Sequence, residues 1–212
     1  MEHSGSGPRH DRQEGPHAHS SIFTPDGRFL VVADLGIDRL VMYAFDSGEV
    51  EHHRSVTAVP GSGPRHMAWL GDRLLVVEEL NNRLAVYRYD GDSLQPVGAA
   101  PTLPPDAPPS TAADVHVVGD RVFVSNRGHD SVAVLALDPA GAPGLVDVVP
   151  SGGSWPRGFA PTPVGRHLVV ANRRSDELVV LPLHAGHPAV GAPVARLTVS
   201  APASVAVALN SG

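Results

Sequence analysis

At 212 residues, with 42% apolar and 18% charged side chains, the chain is long enough for one globular domain with a sizeable core or for two small ones. Its 22 Gly and 21 Pro are too many for a helical protein, and the absence of cysteine excludes disulfides, thiolate nucleophiles and Cys-ligated metals. A formal charge of −6 offers no basic face to nucleic acid, and no run of about 18 apolar residues could cross a membrane, so the expected partner is a small molecule and the expected compartment the cytoplasm.

The first residues, MEHSGSGPRHDRQEG, contain no apolar stretch of the kind a secretion signal needs. His17 and His19 follow at a spacing that puts both on one face of a strand; a metal would need a third ligand, which is not evident, and neither metal nor organic cofactor is expected. From residue 25 onward one pattern recurs four times: turn, basic residue, apolar run, polar tip, second apolar run. The copies are residues 25–46, 71–90, 119–138 and 165–183. Arg28, Arg73, Arg121 and His167 take equivalent places, at intervals of 45, 48 and 46 residues. That period belongs to β-propellers, in which one repeat is a four-stranded blade.

Within each copy the two apolar runs are joined by hairpin residues such as Leu35-Gly36-Ile37-Asp38 or Asn81-Asn82. Leu74 to Val77 is continuously apolar, as a strand covered on both faces should be. A short segment before each copy suits an innermost strand, and a weaker run after it an outer one. The predicted fold is therefore all-β, a partial arc of about four four-stranded blades at 17–60, 64–103, 113–150 and 155–200 in a single domain covering 1–212. Ala203 to Ala208 reads as one extra inner strand, and Pro101 to Pro109 as an exposed loop. An ordinary β-sandwich does not repeat its sequence at a fixed interval.

Polar residues concentrate at two repeated positions. Inner-strand starts carry His17 and His19, then Arg65 and His66, then His116, then Arg157; strand tips carry Asp34, Glu79, Asn126 with Arg127, and Asn172 with Arg173. In a propeller these converge on one end of the channel. Arginines, histidines and a carboxylate gathered there suit an anionic substrate and acid–base chemistry. Each also has a plainer reading, since Arg and Asn at strand tips often bond turns. His3, His10, His52, His53, His184 and His187 read as solvated loop residues, and Trp69, Trp155, Tyr43 and Tyr87 as packing residues.

At these residues the sequence resembles the seven-bladed lactonase family, which contains propeller-type 6-phosphogluconolactonases and carboxy-muconate lactonising enzymes. The matching strings are residues 12–19 (RQEGPHAH), 33–38 (ADLGID), 61–67 (GSGPRHM), 79–82 (ELNN), 113–116 (ADVH), 125–130 (SNRGHD) and 155–159 (WPRGF). The resemblance implies hydrolysis of a sugar lactone, 6-phosphogluconolactone foremost, in the pentose phosphate pathway. It implies catalytic roles for His17 or His19, Arg65 and Glu79, with Glu79 or a nearby histidine as general base. Arg127, Arg157, His66 and His116 would contact the substrate. A muconate-type cycloisomerase and a non-catalytic binding propeller are the alternatives. Glu78, beside Glu79, departs from the family pattern, and four blades where the family has seven leave the flanks of the arc open, so self-association through those faces is expected.

Overall fold

A computed structural model describes residues 2–46, 49–187 and 189–208, and these form sixteen strands without a helix. The first sheet contains β1 (Ala18–Phe23), β2 (Phe29–Asp34), β3 (Arg39–Asp46) and β4 (Glu49–Thr57); the second contains β5 (Pro64–Leu70), β6 (Arg73–Glu78), β7 (Arg83–Tyr89) and β8 (Leu94–Pro101). The third is β9 (Thr111–Val118), β10 (Arg121–Arg127), β11 (Ser131–Leu137) and β12 (Pro143–Pro150). The fourth is β13 (Pro156–Pro161), β14 (His167–Asn172), β15 (Glu177–Pro182) and β16 (Ala195–Thr198). Every sheet runs in sequence order with antiparallel neighbours, and the inner strands β1, β5, β9 and β13 touch in succession. The result is an arc of four propeller blades.

The continuous apolar runs fill the spaces between blades. Val31, Leu40 and Met42 meet Leu74, Val76 and Tyr87 between the first two; Leu75, Val77 and Leu84 meet Val122, Val124 and Leu135 between the next; Phe123 and Val134 meet Phe159, Val170 and Leu181 between the last. Middle strands such as Leu74 to Val77 are buried on both faces, which explains why they do not alternate.

Each β2–β3 type hairpin ends on Asp38, Asn82, Asp130 or Asp176, with φ between 52° and 57°. Asp and Asn tolerate this left-handed region because their short polar side chains bond locally. All four also reach the chain that follows their own blade: Asp38 Oδ1 accepts from Gly63 N at 2.8 Å, Asn82 Nδ2 donates to Ser110 O at 2.6 Å, Asp130 Oδ1 accepts from Trp155 N at 2.7 Å, and Asp176 Oδ1 accepts from Ala201 N at 2.7 Å. In the first three repeats one residue thus shapes a turn and staples two blades, while Asp176 ties the last blade to the segment after β16.

Three expectations need correction. Residues 203–208 form no strand, because among the described residues no second strand follows to pair with them; Ala203 and Ser204 instead lie on Gly158, where a Cβ would come within 2.9 Å of Ala203 O. In the 101–109 stretch Pro101 ends β8, and the exposed loop starts only at Pro104, because Thr102 and Leu103 are buried and Thr102 Oγ1 donates to Asn126 Oδ1 at 2.7 Å. His52 and His53 sit on β4 rather than in a loop, and His3 is held between Asp34 and the Tyr43 hydroxyl. The outer flanks are apolar: Phe23, Phe45 and Val50 are exposed on the first blade and Leu197 on the last.

Candidate active site

Every inner strand breaks its register at its first residues. The irregularities fall between Ala18 and Ser20, Pro64 and Met67, Ala112 and Val115, and Pro156 and Gly158. The residues inside those breaks are His19, Arg65 with His66, Ala113 with Asp114, and Arg157. A bulge adds a residue to one strand and re-aims its side chain, so four strands present polar groups at the same end of the arc where regular pairing would have alternated them.

Two clusters result, and they adjoin. In the first, the Glu79 carboxylate accepts from Arg12 Nη2 at 2.6 Å on one oxygen, while Arg65 Nε at 2.7 Å and Arg127 Nη2 at 2.8 Å approach the other. The Arg65 approach is a charge contact, its angle being too poor for a hydrogen bond. Arg65 and Arg127 are buried, at 2% and 7% exposure, and tie back to the backbone through Ala113 O and Ala112 O. Burial alone would raise the Glu79 pKa, but Arg127, Arg12 and Arg65 outweigh it and hold the carboxyl below its ordinary value. Burial and the neighbouring Arg127 push Arg65 down to about 10, which leaves it charged at neutral pH. Three guanidiniums on one carboxylate leave a surplus of positive charge, to which Arg157 adds.

In the second cluster, Asp114 stands between two histidines, His66 Nδ1 at 2.5 Å and His116 Nε2 at 3.5 Å, and accepts from Phe159 N at 3.1 Å. Burial would raise the Asp114 pKa; hydrogen bonding to His116 and His66 reverses this and holds it well below the carboxylate range. His19 meets the His66 ring edge-on, centroids 5.1 Å apart, and His17 lies 5.7 Å beyond it on the exposed rim. Burial, then Arg65 and His66, lower His19 to about 3, so its ring is neutral, and its Nδ1 is buried without a partner.

Of the residues the sequence singled out, the structure gathers His19, Arg65, His66, Glu79, His116, Arg127 and Arg157. It does not bring in the other strand tips. By register, Asp34, Glu78, Asn126 and Asn172 are equivalent, each opposing the first residue of the next strand. They are buried and bond turns: Asp34 accepts from His17 N and Gly36 N, Glu78 from Asn81 Nδ2, and Asn172 donates to Ser151 O. Glu79 and Arg127 sit one residue later or at the strand's last position, so pairing Asp34 with Glu79 was off by one. Both Glu79 oxygens are occupied, which suits an anchor for arginines better than a proton acceptor. Arg12 and Asp114 were missed. The i, i+2 spacing of Asp114 and His116 could have signalled the latter.

Among the described residues no group of three His, Asp or Glu side chains is arranged to hold a metal ion. The arrangement joins a cationic, largely buried wall to an imidazole held by a carboxylate. A family model described as Lactonase, 7-bladed beta-propeller, matches residues 1–207. The chain belongs to that family. Among relatives of this lactonase-family chain, a 6-phosphogluconolactonase of Bacillus subtilis is 37% identical over 186 residues, covering 84% of this chain and 53% of that protein. A solved structure from Lactobacillus plantarum superposes with a TM-score of 0.91 at 29% identity, covering 96% of this chain and 62% of the other. The periplasmic gluconolactonase of Pseudomonas aeruginosa superposes at 0.87, also 29% identical, with 95% and 60% covered. The lactonase-family chain thus spans about half the length of the curated relatives it matches.

Proposed function

We propose that this chain carries the active site of a lactonase that hydrolyses a phosphorylated sugar lactone, 6-phosphogluconolactone, to the corresponding acid. The observation that carries the reading is the His66–Asp114 pair beside the arginine cluster. A water attacks the lactone carbonyl while His66, its Nδ1 held by Asp114, accepts the proton on the other ring nitrogen. The net positive field of Arg65 and Arg127 stabilises the oxyanion that forms. The ring C–O bond then breaks, the departing ring oxygen takes the proton from the imidazolium, and an acid and a free hydroxyl remain. His19, held neutral beside the His66 ring, lines the site without acting as a base; Arg157 and His116 complete the wall that holds the anionic end. Glu79 orients the guanidiniums.

The compartment proposed is the cytoplasm, because a sugar phosphate carries charge and stays where it is made. Self-association through the apolar flank around Phe23 and Phe45 belongs to the same proposal. The test is turnover: the purified chain is assayed on 6-phosphogluconolactone against its spontaneous hydrolysis, alongside a His66→Gln variant. Acceleration lost in the variant supports the reading. A wild-type rate equal to the spontaneous one overturns it.

A further inference from the structure

Arg12 belongs to none of the blades. It lies in the segment ahead of β1, and that segment is built into the arc with unusual care. Gln13 is fully buried; its Nε2 donates to Leu35 O and to Asp38 Oδ1, both at 2.8 Å, and its Oε1 accepts from Arg9 N at 3.1 Å. The same Asp38 carboxylate accepts from Gly61 N at 2.7 Å and Gly63 N at 2.8 Å, so one buried acceptor ties the segment to the first hairpin and to the entry of the second blade. Gly7 and Gly36 leave room for this: a Cβ at Gly7 would lie 2.4 Å from Gln13 Cδ, and one at Gly36 would lie 1.9 Å from Gly15 O. The latch delivers a residue anchored on the first blade to a carboxylate on the second.

The three arginines on Glu79 are not equivalent. Arg65 and Arg127 are buried and bonded to backbone carbonyls, so they can supply field but little contact. Arg12 makes one short bond to Glu79 and keeps 37% of its side chain exposed. The geometry points to Arg12 as the cation that grips the substrate's anionic group, with Gln13 as its positioning residue, latched through Asp38. A phosphate dianion entering the site shares the Arg12 guanidinium with Glu79 through the fork geometry that matches phosphate oxygens. The inference rests on the lactonase reading above.

Arg12→Ala, Arg12→Lys and Gln13→Met are compared with the wild-type chain on 6-phosphogluconolactone and on unphosphorylated gluconolactone, with 6-phosphogluconate binding followed by calorimetry. Arg12→Ala should raise KM for the phosphorylated lactone about 10- to 100-fold, the range for a lost charged hydrogen bond. The KM rise on gluconolactone should be much smaller, and the loss should fall on KM rather than kcat. Arg12→Lys should recover part of it, and Gln13→Met should reproduce it in weaker form. Equal effects on the two lactones, or no effect with the wild type active, overturn the role of Arg12 and leave the lactonase reading standing. A wild-type chain that neither accelerates hydrolysis nor binds 6-phosphogluconate removes both. Far-ultraviolet circular dichroism of each variant shows whether the fold is retained; Arg12→Lys decides the matter if the alanine variant unfolds.

Discussion

Asp114, on the inner strand of the third blade, and His66, on that of the second, face each other at 2.5 Å across the blade boundary. The pair exists only because both inner strands are bulged at those residues. It couples the relative position of two blades to the orientation of one imidazole.

Asp114→Asn leaves the volume unchanged but removes the acceptor charge that holds His66. Turnover of 6-phosphogluconolactone should fall by about 10²- to 10⁴-fold in kcat, the usual contribution of a positioned general base, with little change in KM. Steady-state kinetics check this, and an unchanged kcat would release His66 from the role of base.

The pH dependence of stability should show two windows. His19 has a folded pKa of about 3 against 6.5 ordinarily, so between those values the unfolded chain binds a proton that the folded one does not. Stability is then greatest above pH 6.5 and declines as pH falls toward 3. His19→Gln should flatten that decline in thermal scans at pH 4, 5 and 6. The Asp114 carboxyl, held below its ordinary 3.8, adds stability present above that value and lost as pH falls below it, so Asp114→Asn should alter only the lower window.

Gly36→Ala should detach the segment that carries Arg12. The new Cβ would meet the Gly15 carbonyl, which is backbone and cannot rotate away. A cost of about 1–3 kcal/mol is expected, as for overpacked sites, lowering the thermal midpoint by several degrees. Limited proteolysis should cut near residues 9–16 in the variant first; an unaltered digest and midpoint would mean the segment adjusts freely.

Asp130 combines a left-handed backbone at φ 57° with the staple to Trp155 N. Asp130→Ala loses both the tolerance for that conformation and the hydrogen bond, at about 2–4 kcal/mol together. Asp130→Asn retains an oxygen acceptor and the conformational tolerance, so it should stay within about 1 kcal/mol of wild type. Urea denaturation separates the two, and equal losses would show that the charge, rather than the turn, carries the effect.

What the sequence determined by itself follows from its period. Repeats at 45 to 48 residues, each with two apolar runs about an Asp or Asn turn, can bury their continuous strands only by stacking sheet on sheet, and four blades follow. Residue types also marked the end of the arc where His19, Arg65, His66, Glu79, His116, Arg127 and Arg157 meet. Alternation along a strand, however, says which face a side chain takes only while the register is regular. The four inner-strand bulges break it at the site, so Asp114 was invisible as the partner of His66, and Asp34 was matched to Glu79 when Glu78 is its equivalent. Arg12 lies 67 residues from the carboxylate it holds and outside any repeat, in a stretch whose composition reads as loop. Only the packing of Gln13 against Asp38, a contact between a leading segment and a hairpin, brings it there. The same physics decided residues 203–208: their sequence suits an inner strand, but a strand is made by its neighbour's hydrogen bonds, and among the described residues none is offered.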